Sequence, residues 1–264
     1  MRVAFPSFVL AILLTTSAAQ AATHDSKLDD TSLAGRNEYE RCLSLIKRNA
    51  REAADSAEMW HTLGGGVPAL HCEALALVSL RRYADAGVKL DQAALSESPS
   101  QKNFRIALFD QAGNAWLLAG DAQKAEASIN AALALAPKDE DILFDRARAR
   151  AARKNWSGAE TDLSALLAMD ANRADALVLR ASARHAQGQK PQADADIARA
   201  LQVYPNYPEA LVERGAMKYE AGDAAGARAD WQLAARDAPN GDAGAAARQH
   251  LADMDAAAAK PAGK

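Results

Sequence analysis

The chain has little of what usually carries chemistry or crosses a membrane. Two of its 264 residues are cysteine, Cys42 and Cys72, and aromatics make up 5%. Two cysteines that far apart give neither a four-thiolate zinc site nor a Cys-x-x-Cys redox pair. The five histidines, His24, His61, His71, His185 and His250, are scattered. A site built from His61, His71 and Cys72 would match no usual zinc spacing. No strained serine turn and no paired-histidine helix motif occurs. The triplet Gly64-Gly65-Gly66 lacks the lysine and hydroxyl of a phosphate loop and reads as a flexible turn. A net charge of −3 supplies no basic stripe for nucleic acid. We therefore expect no catalytic residues, no metal, no cofactor and no nucleic-acid partner.

One apolar run stands out. Arg2 precedes Phe5 to Leu14, and Ala19 and Ala21 follow at small-x-small spacing. This reads as a signal peptide over 1–21, cleaved after Ala21. A retained anchor is the alternative, but the run falls short of the ~20 residues a span requires. The mature chain is then expected to be exported and to have no membrane span. Its alanine richness points to a bacterial periplasm. Residues 22–36 are polar and read as a flexible leader, and 255–264 as a disordered tail.

What the chain does have is a period. Pro137, Ala171, Pro205 and Pro239 stand 34 residues apart, as do Ala125, Ala159, Ala193 and Ala227. So do Gly120, Lys154, Gly188 and Gly222. Three columns with one step mean repeated structural units. Within 106–139, Phe109, Ala112, Gly113 and Trp116 fall at helical spacing, and Gly120-Asp121 breaks that helix and caps the next. Ala125, Ile129, Ala132 and Leu133 define a second apolar face, which Pro137 ends. The small residues allow close backbone approach and the large ones fill the space around them.

Another co-occurrence lies inside the repeats. Arg146, Arg180 and Arg214 share one position, and Asp162, Asp196 and Asp230 lie 16 residues later in the same units. The first unit, with Ala112 and Ser128, lacks both. This predicts an ion pair within each of three hairpins. The alternative is two unrelated solvated charges.

The pattern Phe109, Ala112, Gly113, Trp116, Ala125, Ile129, Ala132, Pro137 resembles the tetratricopeptide repeat. The later units follow it with Leu143, Ala147, Ala159 and Leu163, then Leu177, Ala181, Ala193 and Ile197, then Leu211, Gly215, Ala227 and Trp231. The resemblance covers four repeats at 106–139, 140–173, 174–207 and 208–241. One departure recurs: the aromatic at Trp116 becomes Arg150, Arg184 and Lys218. Long basic stems there are expected to cover apolar surface and keep their charge wet. Residues 37–99 read as two degenerate hairpins, with breaks near Asn49, at the glycine triplet and near Arg82. Residues 242–254 read as a capping helix. The resemblance implies an all-α, right-handed solenoid of helical hairpins.

It also implies a disulfide. In the repeat frame Cys42 and Cys72 lie midway along first helices of successive hairpins, which run side by side in this family. The family's ligand contacts come from first helices lining a concave groove. Carried over, these positions are Asp110 and Asn114, Phe144 and Arg148, Ser182 and His185, and Tyr219. Asp110 stands where the carboxylate-gripping version needs a base. The implied function is a non-catalytic, periplasmic protein-binding scaffold or adaptor. A partner using another face, a structural subunit of an envelope complex, and a glycan- or lipid-binding module remain the alternatives.

Overall fold

A computed structural model describes residues 33–259. The expected signal peptide, most of the leader and the end of the tail lie outside these residues. The described residues form helices joined by short turns, and they divide at Arg153/Lys154 into two compact units.

In the first unit, α1 spans Leu33–Arg48, α2 Ala50–Trp60, α3 Gly66–Ser79 and α4 Tyr83–Ser96. There follow α5 (Lys102–Leu118), α6 (Ala122–Leu135) and α7 (Glu140–Ala152). In the second unit, α8 spans Trp156–Leu167, α9 Ala174–Ala186, α10 Lys190–Val203, α11 Pro208–Glu220, α12 Ala224–Asp237 and α13 Asp242–Ala259. Within each unit consecutive helices pack against one another, and first helices of neighbouring pairs also touch, α1 on α3 and α9 on α11.

The turns explain the period. Asp121 N bonds Trp116 O while Gly120 N bonds Leu117 O, and the same two bonds recur at Gly188/Gln189 and Gly222/Asp223. This double closure of a helix end needs a left-handed residue. Gly120, Gly188 and Gly222 supply it at φ 79°, 76° and 90°. Lys154, in the same column, adopts φ 59° without being glycine. The next residue caps the following helix. Asp121 accepts from Lys124 N at 3.1 Å, Asn155 from Gly158 N at 3.1 Å and Asp223 from Gly226 N at 2.9 Å. The prolines then bar continuation: α6, α10 and α12 end at Leu135, Val203 and Asp237, just before Pro137, Pro205 and Pro239.

Close approach inside the hairpins follows the small-residue column. A Cβ on Gly113 would lie 2.6 Å or less from nothing but Ile129 Cγ1, at 2.3 Å, and one on Gly215 would meet the Trp231 indole at 2.4 Å. Glycine therefore stands where the opposing side chain presses deepest. Trp231 also stacks on His250 of α13, with ring centroids 4.8 Å apart. Ala243, Ala247 and Met254 of α13 complete that cluster.

Two boundaries differ from the sequence expectation. α1 begins at Leu33, inside the stretch assigned to the leader, and α13 continues to Ala259, inside the stretch assigned to the tail. Nothing between Leu33 and Arg48 breaks a helix, and the run Ala256 to Ala259 has the highest helix propensity available.

Candidate functional site

The expected groove positions are engaged within the fold: Asp110, Asn114, Arg148, His185 and Tyr219 are part-exposed, and Phe144 and Ser182 are buried. Asp145 of α7 accepts from Asn114 Nδ2 at 2.6 Å and from Arg148 Nη1 at 2.7 Å, and Arg148 also reaches Asn114 Oδ1 at 2.9 Å. Asp110 hydrogen-bonds the same Asp145, while its own Oδ1 is buried without a hydrogen-bond partner among the described residues. Burial, helped by the charges of Asp145, Asp139 and Asp141, raises the Asp110 carboxyl well above the usual range. Phe144 is buried at 7% exposure and is no surface contact.

The second unit repeats the theme with other residues. Glu213 of α11 is buried, hydrogen-bonds Ser182 of α9, and lies 3.9 Å from His185 Nδ1. Burial raises its carboxyl above the usual range. His185 Nε2 lies 3.1 Å from Glu220 Oε2. Tyr219 packs against Trp231, with centroids 5.7 Å apart.

The residues that sequence reasoning missed form a column of their own. Gln111, Asp145 and Glu213 sit one place after the expected contacts, with Leu179 completing a 34-residue step. Each polar member reaches a neighbouring first helix. Gln111 Oε1 lies 2.9 Å from His71 Nε2, and His71 Nδ1 lies 2.7 Å from the Tyr39 hydroxyl. Gln111 Oε1 can only accept, so Nε2 carries a proton, and in the neutral ring that burial favours Nδ1 accepts from the Tyr39 hydroxyl. Burial pushes the His71 pKa down and the Tyr39 pKa up. The signal was available: three polar residues sharing one repeat position.

Ion pairs order the other side of the hairpins. Arg180 donates to both Asp196 oxygens at 2.9 and 2.7 Å, and Arg214 to both Asp230 oxygens at 2.9 and 2.7 Å. Arg146 and Asp162 fall on opposite sides of the division between units. Within its own unit Arg146 donates to Asn130 at 3.0 Å, and Asp162 is buried.

The basic residues at the family's aromatic position do not keep their charge wet. Arg150 meets Glu126 at 2.9 Å, Arg184 meets Glu160 at 2.9 Å and Asp196 at 2.8 Å, and Lys218 meets Asp230 at 2.9 Å. Glu126 and Glu160 are themselves 34 residues apart. Guanidinium groups desolvated by the neighbouring helix require a counter-charge, and the second helix of the preceding hairpin provides it.

Near the start of the chain, Cys42 and Cys72 are joined by a disulfide, with Cα atoms 6.4 Å apart, tying α1 to α3. In the same unit opens a cleft of about 1110 Å³. The glycine triplet forms its edge: the backbone kinks between α2 and α3, with Gly64 at φ 95° and Gly66 at φ 55°. A Cβ on Gly65 would come within 2.5 Å of the Trp60 indole, so glycine lets that ring lie on the backbone. Met59 and Leu63, on the same edge, are 65% and 80% exposed. Among the described residues, no group of three or more metal-ligating side chains occurs, and no helix is long and apolar enough to cross a membrane.

No family model matches the chain, and no curated protein matches it in sequence. Solved structures do. A tetratricopeptide protein from Parabacteroides merdae superposes with a TM-score of 0.57 at 16% identity, covering 81% of this chain and 82% of its own. A thermophilic tetratricopeptide protein of Thermus thermophilus gives 0.56 at 18% identity, covering 70% and 99%. YrrB, described as a tetratricopeptide protein with an unusual peptide-binding site, gives 0.56 at 16% identity, covering 66% and 88%. The class follows: this is an all-α chain of tandem helical hairpins with the tetratricopeptide fold.

Proposed function

We propose that the protein is a non-catalytic scaffold that binds a protein partner, exported to the bacterial periplasm after removal of residues 1–21. The carrying observation is how its polar side chains are used. In the first unit Asn114, Asp145 and Arg148 bond one another between successive first helices, and in the second Ser182 bonds Glu213 in the same way, leaving a stiff frame in each. A stiff frame loses little freedom on association, which favours binding. The peptide-binding site described for YrrB supports the same reading. Export is supported by the Arg2–Leu14 pattern and by the Cys42–Cys72 disulfide, which persists in oxidising compartments. Exposed Met169 and Tyr204, at 44% and 57%, favour a second reading, a subunit that packs into a larger envelope assembly.

Cell fractionation, N-terminal sequencing and native co-purification of the mature chain test the proposal. The expected result is a periplasmic protein beginning at Ala22 that carries a protein at fixed stoichiometry. A cytoplasmic chain with an intact N-terminus contradicts export, and a chain recovered alone contradicts the scaffold.

A further inference from the structure

The cleft beside the glycine triplet combines two properties that the rest of the fold keeps apart. Its edge presents Met59 and Leu63, the latter at 80% exposure, although the surrounding helices have a core in which to bury them. Its rim is acidic: Glu38, Glu52, Asp55 and Glu97 line it against the cation Arg51, with Glu38 also paired to Arg41 at 3.2 Å. An apolar edge within an acidic rim selects an occupant with the complementary arrangement.

We propose that this cleft is the docking site for a partner segment carrying apolar anchors flanked by lysine or arginine. This rests on the scaffold reading and names the chemistry of its partner. The chain's own residues 22–32 are a poor occupant. They carry Asp25, Asp29 and Asp30 against Lys27, and so bring the charge of the rim itself. A second copy is disfavoured in the same way by the net charge of −3. The turn geometry serves the site. Gly64 and Gly66 hold backbone that other residues rarely adopt, and they project Leu63 beyond the end of α2. Gly65 seats Trp60 as a flat wall beside it.

Anisotropy titration of the mature full-length protein tests this, using a short labelled peptide of leucines flanked by lysines and a second in which glutamate replaces each lysine. The lysine peptide should bind, the glutamate peptide should not, and added salt should weaken binding. Leu63→Asp, and separately Glu52→Lys with Asp55→Lys, should each weaken it by about tenfold or more. Val88→Asp, at an exposed apolar position on α4, should leave it unchanged. All the substituted residues are exposed, and circular dichroism checks that each variant stays folded.

Absent binding, equal affinity for the two peptides, or affinity unmoved by Leu63→Asp overturns the proposal. Binding that appears only after deletion of residues 22–32 assigns the cleft to the leader, and dimerisation that Leu63→Asp abolishes assigns it to a second copy. Either result also overturns it. If a partner co-purifies while the cleft variants leave that capture intact, the scaffold reading stands and the cleft assignment falls. If nothing co-purifies and no peptide binds, both fall.

Discussion

His71 of α3 donates its Nε2 proton to Gln111 of α5 across 2.9 Å, while its Nδ1 accepts from Tyr39 of α1. One imidazole thus links the first helices of three successive hairpins, and its burial favours the neutral ring. Protonation would leave Nδ1 with a proton facing the tyrosine hydroxyl and would place a charge in a buried site.

The pH dependence follows in sign. Burial lowers the His71 pKa from its ordinary 6.5, so its contribution is present above that value and is lost as pH falls through the lowered folded value. His71→Gln should flatten the acid limb of the stability curve below about pH 6. Urea denaturation at a series of pH values reads this directly, and an unchanged acid limb contradicts it.

Asp110 runs the other way. Its raised pKa means that the folded chain holds this proton more tightly than the unfolded chain. Its contribution is complete below the ordinary 3.8 and is lost as pH rises through the higher folded value. Asp110→Asn keeps a donor toward Asp145 and removes the charge. It should stabilise the protein at neutral pH by about 1 kcal/mol or more, and the gain should vanish in acid. Melting temperatures at pH 4 and pH 7 decide, and a loss of stability at pH 7 contradicts the account.

Lys154 occupies a left-handed position that glycine fills in the sister turns at Gly120, Gly188 and Gly222. Lys154→Gly relieves a non-glycine penalty of about 1–2 kcal/mol and adds some unfolded-state entropy. A net stabilisation of about 1 kcal/mol is expected by thermal unfolding. Destabilisation contradicts the turn argument.

Arg180 and Asp196 form a bidentate pair in which the carboxylate also holds Arg184 at 2.8 Å. A double-mutant cycle with Arg180→Ala and Asp196→Ala should give a coupling of about 1–3 kcal/mol. Asp196→Ala should cost more than Arg180→Ala, because it removes the partner of two guanidinium groups, whereas after Arg180→Ala the carboxylate keeps Arg184. Additive effects contradict the pairing.

Much of the fold was legible because its determinants are local and repeated. Gly120, Asp121, Ala125 and Pro137 each act within one hairpin, and each recurs in register. The site was less legible because its determinants join different hairpins. Asp145 and Glu213 take their role from neighbours on α5 and α9, which belong to other hairpins. Arg150 and Arg184 looked like snorkelling bases because their partners, Glu126 and Glu160, belong to the preceding repeat. The cleft left the faintest trace. Leu63 beside three glycines reads as an ordinary turn, and its exposure follows only from the kinked path of the backbone there.

The most direct test of the central claim is photo-crosslinking in cells with a photoreactive residue at Leu63 and, separately, at Arg148. A scaffold that binds through its amino-terminal cleft and uses its repeat face for internal bonding captures one discrete protein from Leu63 and none from Arg148. Capture from Arg148 with Leu63 silent would contradict it and return the partner to the repeat face.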